Sequence, residues 1–193
     1  MFEYIQGKIT EATPTYIVLE NNGIGYFINI SVNTYASFKT NETIKIFIHQ
    51  VIREDAHLFY GFISKKEREI FRSLISVSGV GAATARMILS SMTPDQIQKA
   101  IMSGNVAALQ AVKGIGAKSA QRIIIDLRDK VGGLADEADL DLYPQSENRK
   151  EALSALTMLG FQKNAVEKVL EKIIAEDNNL SVEELVKKAL KKL

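Results

Sequence analysis

"VSGVGAATA" fills residues 77–85, and thirty-five residues later "VKGIGAKSA" fills 112–120. Setting 76–92 against 111–127 gives six identities: Val77/Val112, Gly79/Gly114, Gly81/Gly116, Ala82/Ala117, Ala85/Ala120 and Ile88/Ile123. Each copy runs into an apolar helical segment, "ARMILSSM" or "AQRIIIDL". The repeated unit is therefore a short glycine hairpin feeding a helix. Glycine permits positive φ and lets backbone come close to a bulky group. A helix that starts at once leaves its first N–H groups without intrahelical partners, with partial positive charge on them. Phosphate is the natural occupant. The candidate phosphate-binding residues are Gly79, Gly81, Ala82 and Thr84 in the first copy, and Gly114, Gly116, Lys118, Ser119 and Arg122 in the second. Thr84 and Ser119 bring hydroxyls; Lys118 and Arg122 bring full charge. Such contacts ignore base identity, so binding is expected to be sequence-independent and salt-sensitive.

Two other glycine motifs are excluded. The dinucleotide pattern requires a third glycine, where these copies have Thr84 and Ser119, and it follows a strand, where these follow helices. The P-loop requires glycine before its Lys-Ser, where this chain has Ala117. No nucleotide cofactor is expected. A plainer reading, in which the hairpin merely joins two packed helices, fits one copy better than a tandem pair. Charge separates the two readings. Residues 1–62 hold 4 basic and 6 acidic residues, 63–133 hold 11 and 5, and 134–193 hold 9 and 12. The overall net charge of +1 thus hides a basic field around the hairpins, as a polyanion partner requires.

Outward from the hairpins, three modules are expected. Residues 1–62 hold eleven of the fourteen aromatics, in strand-like runs such as "TYIVLE", "GYFINI", "TIKIFIHQVI" and "HLFYGF". Asn22-Gly23 between two of them is a two-residue hairpin signal. Five short strands and one helical piece, "VNTYASF", suit a small closed barrel of the oligonucleotide-binding type. Residues 63–133 are helical around the hairpins, with Thr93, Pro94 and Gln96 forming a helix start. Residues 134–146, "LADEADLDLYPQS", hold four acids, no base and a proline, and read as a mobile linker. Residues 147–193 read as three short helices, the last opened by a Ser181–Glu184 capping box. With no cysteine, disulfides and thiolate metal sites are impossible. No apolar run long enough to span a membrane exists, and the N-terminus does not read as a signal peptide.

Over its full length the chain resembles the RuvA family, the Holliday-junction-binding subunits of the bacterial branch-migration machine. Helix-hairpin-helix motifs alone are weakly specific, because polymerases, ligases and glycosylases also use them. The tandem "GVGAATA" and "GIGAKSA" preceded by "VIREDAHLFYGF" (51–62) is highly specific. The resemblance implies an oligonucleotide-binding barrel, a tandem helix-hairpin-helix domain and a three-helix UBA-like bundle. It also implies a homotetramer or octamer that holds four-way junction DNA open and square, with hairpins on the arms. Glu54 and Asp55 would form an acidic pin at the junction centre. The bundle would contact the RuvB ATPase hexamer, with the RuvC resolvase in the same complex, in the bacterial cytoplasm. The ATPase would reside in RuvB, leaving this chain non-catalytic. One departure stands out: Ala82-Ala83 occupies the place where family members often carry Pro-Lys, so the first hairpin would lean more on backbone amides.

Other candidates are weaker. His49 and His57 lack the further ligands a metal site needs and read as strand-face residues. Glu54-Asp55 as a nuclease pair holding Mg²⁺ lacks a third acid nearby, and adjacent residues on a strand face opposite ways, so a turn is expected. The stripe through Leu153, Leu156, Leu159 and Phe161 reads mostly as core, with Leu156, Leu159 and Phe161 as candidate partner contacts. Two alternatives stay open. A structure-specific nuclease or glycosylase module would need a catalytic cluster, and none is found in the sequence. A single-strand binder would need a basic barrel, and this one is acidic.

Overall fold

The computed structural model describes residues 2–131, 144–178 and 180–193, with 144–147 as backbone only. The chain divides into two compact units, Met1–Leu134 and Ala135–Leu193.

The first unit opens with β1 (Tyr4–Ala12), β2 (Tyr16–Asn21), β3 (Ile24–Ile30), the short helix α1 (Val32–Tyr35), β4 (Thr43–Ile52) and β5 (His57–Phe62). These strands close into a barrel in the order β1-β2-β3-β5-β4. The β3–β5 pairing is parallel and the other four are antiparallel. Asn22 and Gly23 take φ of 49° and 81°, the left-handed pair that a two-residue hairpin requires. That turn sets Asn21 opposite Ile24 and so fixes the β2–β3 register. Along β4, Ile44, Ile46 and Ile48 are buried while the residues between them are not, the period-two pattern of a strand with one face in a core. Nine buried isoleucine and leucine side chains fill the barrel interior. Each contributes roughly 1.5–3 kcal/mol of burial.

Five helices follow: α2 (Lys65–Ile75), α3 (Ala82–Ser91), α4 (Pro94–Met102), α5 (Val106–Gln110) and α6 (Ala117–Val131). Local chemistry sets their starts. Ser64 accepts from Glu67 N, Thr93 and Gln96 complete a reciprocal capping box with Pro94 behind the cap, and Asn105 accepts from Ala108 N. Phe71 on α2 is fully buried, and its ring centroid lies 5.1 Å from that of Tyr60 and 4.9 Å from that of Phe62 on β5. The helices are thereby packed onto the outside of the barrel through one aromatic cluster. His49 on β4 lies against the same ring at 5.4 Å, and burial lowers its pKa.

The second unit holds α7 (Pro144–Met158), α8 (Lys163–Glu176) and α9 (Val182–Leu190). Helix α7 starts at Pro144, inside the stretch read from sequence as linker. Proline suits a first helical position because its missing N–H would have no intrahelical partner there. The rest of that stretch, 134–143, lies outside the described residues. Ala152, Leu156, Val166, Leu170, Ile173, Leu180, Leu185 and Ala189 form the core of this small bundle. The Ser181–Glu184 capping box opens α9 as expected.

Candidate nucleic-acid interface

The two hairpins are built from the same bonds. In the first, Val77 N donates to Leu74 O (3.1 Å), Val80 N to Val77 O (3.0 Å) and Ala85 N to Gly81 O (2.9 Å). In the second, Val112 N donates to Leu109 O (3.2 Å), Ile115 N to Val112 O (3.1 Å) and Ala120 N to Gly116 O (2.9 Å). Each bond of the first copy recurs at the same thirty-five-residue offset that the sequence repeat has. The middle residues Val80 and Ile115 are buried in the shared helical core and hold each loop down.

The two glycines of each hairpin do different work. Gly79 and Gly114 take φ of 88° and 89°, where a Cβ is strained. Gly81 has φ −83° and ψ 168°, which any residue adopts. A Cβ added at Gly81 or Gly116 would meet nothing within 4 Å. Nothing inside the protein demands glycine at those two places; a bare backbone there matters only to something approaching from outside.

Helix starts show the same contrast. Within the first unit, the starts of α1, α2, α4 and α5 are each capped by a Ser, Thr or Asn side chain. Helix α3 starts at Gly81 with no side-chain cap, and Gly116 before α6 has no side chain to offer. The amides of 82–84 precede the first intrahelical bond of α3, so they are available to an anion.

Side chains around these amides divide unevenly. Ala82 is buried and can offer only its backbone; Lys118 is exposed, and Thr84 and Ser119 are half-buried. Arg122 is exposed yet donates to Ser78 O at 3.3 Å, so it bridges the second repeat to the first hairpin. Sequence reasoning passed over Lys113, which stands exposed in the second hairpin at the place of Ser78. Its signal was a cation inside the repeated turn itself.

Glu54 and Asp55 lie in the turn between β4 and β5. Arg53 N donates to Ala56 O at 2.8 Å and closes it, below the last ladder pair, Ile52 opposite His57. Both acids are exposed. The turn expected for them is present, and it carries two carboxylates outward at one tip of a barrel otherwise tied down by pairing.

In the second unit one expected contact residue is corrected. Leu156 is fully buried in the bundle core, where Ala152 and Leu156 of α7 pack with Val166, Leu170 and Ile173 of α8. Leu159 is 62% exposed, and Phe161 is half-buried against the core. A Schellman turn separates them: Gly160, at φ 97°, donates to Thr157 O at 3.0 Å, and Phe161 N donates to Leu156 O at 3.2 Å. It leaves Met158 and Leu159 as the exposed apolar pair of this corner.

A closed five-stranded barrel packed on a tandem helix-hairpin-helix, followed by a small helical bundle, defines a class in which two hairpins share one rigid support. Residues 1–61 match the RuvA N terminal domain, 71–129 the SAM-like helix-hairpin-helix tandem, and 147–193 the RuvA C-terminal domain. The chain is 49% identical over 193 residues to a protein of Christiangramia forsetii and 50% identical over 193 residues to one of Flavobacterium psychrophilum. It is 52% identical over 199 residues to one of Parabacteroides distasonis. Each match covers the whole of both chains, and each relative is named Holliday junction branch migration complex subunit RuvA. This chain belongs to the RuvA family.

Proposed function

We propose that this protein binds four-way junction DNA, without regard to sequence, as the junction-holding subunit of a branch-migration complex. The reading is carried by the repeated hairpins: two turns with the same backbone bonds, each leading from a glycine into a helix, on the unit whose barrel bears a pair of exposed acids at one turn. The amide clusters grip phosphates of a duplex arm. The acids repel phosphates from a central point, since unit charges ~4 Å apart interact by roughly 1 kcal/mol even in bulk water. A homotetramer gathers these acidic tips at the crossover and holds the junction open and square. Continuous duplex has no such opening and is disfavoured.

Domain roles follow. Residues 1–62 form the barrel domain, 63–133 the DNA-gripping domain, 134–146 the linker and 147–193 the domain that recruits the RuvB ATPase. RuvC resolvase acts on the same complex. The chain itself needs no cofactor and performs no catalysis. The family match and the relatives' names support the role of a branch-migration complex subunit.

A gel shift comparing a four-way junction with linear duplex of equal arm sequence tests it. The wild type is expected to prefer the junction, and Glu54→Gln with Asp55→Asn to gain duplex affinity and lose part of that preference. Equal affinity of the wild type for both DNAs sinks the reading. Removing 147–193 is expected to leave junction binding intact and abolish stimulation of RuvB.

A further inference from the structure

Among the described residues only four polar or charged side chains are buried: Ser31, Thr34, Glu67 and Arg68. Three of them meet at one place. Glu67, in the first turn of α2, is 2% exposed. Ser31 Oγ donates to its Oε1 at 2.8 Å, and Thr34 Oγ1 lies 2.7 and 2.9 Å from its two oxygens. Ile63 N donates to Oε2 at 3.2 Å. Ser31 and Thr34 belong to the cap and body of α1, the short helix of the barrel.

The same helix reaches the other side of the first hairpin. Asn33 Nδ2 donates to Leu89 O at 2.6 Å and to Met92 O at 3.1 Å, covering carbonyls at the end of α3. Val32 N donates to Ser90 Oγ at 3.1 Å. One four-residue helix therefore holds the start of α2 and the end of α3, the two helices that flank the first hairpin. Apolar packing tolerates sliding; hydrogen bonds to a buried carboxylate and to helix-end carbonyls do not, because they are directional. Burying a carboxylate is also costly, so an apolar seam would serve mere cohesion at least as well.

Resting on the four-way-junction reading above, we propose that Glu67 and Asn33 are positioning residues. Through α1 they fix the orientation of the first hairpin relative to the acidic tip of the barrel, so that hairpin and tip meet one junction in register. Neither residue touches DNA. Loosening either one leaves a hairpin that still grips a duplex arm but no longer presents it at the angle the tip requires.

The test uses full-length Thr34→Val and Asn33→Asp, each nearly isosteric and each deleting a donor. Asn33 is half-buried and its variant is expected to fold; circular dichroism and melting confirm this for both. Affinities for junction and for linear duplex are measured on unlabelled protein. Separately, spin labels at Lys8→Cys on β1 and Ser78→Cys in the hairpin report the barrel-to-hairpin distance, with labelled chain diluted in unlabelled chain. The chain has no cysteine of its own, so labelling is confined to those two sites. The expected result is a broadened distance distribution and a junction preference reduced about tenfold, the scale of one lost hydrogen bond. Duplex affinity stays unchanged, and Thr34→Ser restores both readouts. A wild-type distance distribution in both variants, or a broadened one with wild-type junction preference, overturns the proposal. Should the wild type itself show no junction preference, the function reading fails; the distance distributions still decide whether α1 orients the hairpin.

Discussion

Around two hairpins with the same backbone bonds, Ser78, Ala83 and Met87 stand in the first copy where Lys113, Lys118 and Arg122 stand in the second. The one cation of the first copy's helix, Arg86, is turned inward: it donates to Thr15 O at 2.9 Å and to Asn29 Oδ1 at 3.1 Å on the barrel. Its counterpart in the second copy is Gln121. The first hairpin is thus bound to the barrel, while the second carries the exposed charge. Shape and charge are separable parts of one motif. On the proposed reading, glycines and backbone bonds would make the cradle, and the lysines around it would set how strongly salt opposes binding.

The largest effect is expected from breaking the shared part. Gly79→Val puts a β-branched residue at φ 88° and should cost about 1–3 kcal/mol of stability. At Gly81 the backbone is unstrained and an added Cβ meets nothing, so Gly81→Val should cost only the helix-cap preference, about 1 kcal/mol or less. Its junction affinity should nevertheless fall more than about tenfold, because the side chain covers amides that bond an anion. Denaturant melts beside gel shifts separate the two outcomes, and the pair Gly114→Val and Gly116→Val should behave alike. Wild-type affinity in Gly81→Val would remove the argument for a backbone cradle.

A smaller effect isolates the part that differs. Lys118→Ala and Lys113→Ala should each lower the slope of log affinity against log salt by about 0.9. Writing lysine at Ser78 and Ala83 should steepen it by a similar amount per residue. If the slope ignores both sets, the lysines do not face phosphate.

The smallest effect concerns the anchored copy. Burial raises the pKa of Glu67, against the lowering effect of its bonds to Thr34, Ser31 and Ile63. The folded state therefore holds this proton more tightly than the unfolded chain does. Stability is highest below the ordinary carboxylate range and falls as pH rises from there through the raised folded value. The stability difference between Glu67→Gln and wild type, followed by denaturant melts across that window, should shift in favour of the glutamine variant as pH rises. A difference flat in pH would place the carboxyl in a less buried setting.

Much of this was legible in sequence because it is local. Asn22-Gly23 demands one turn type, Thr93-Pro94 and Gln96 demand one helix start, and two glycines at fixed offsets demand two hairpins. The parallel β3–β5 pairing that closes the barrel is written in no short stretch, since it depends on strands meeting across an intervening helix and a further strand. Asn33 and Glu67 were also hidden. Asn33 lies within the helical piece "VNTYASF" with nothing in its neighbours to mark a long-range contact, and Glu67 three places after Ser64 has the spacing of half a capping box. In fact its carboxylate turns away to the barrel helix and to Ile63 N. Leu156 and Leu159 sit in one helical stripe, and only the Schellman turn at Gly160 decides that the first is core and the second is surface.

The exposed backbone at Gly81 and Gly116 has one more consequence. A grip that feels only phosphates and their spacing has no means of inspecting what lies between the strands. An arm carrying a mismatch, an abasic site or a chemically altered base keeps its phosphates nearly where they were, and such an arm should pass through the hairpins as undamaged DNA does. On the proposed reading, indifference to base identity would become tolerance of damage.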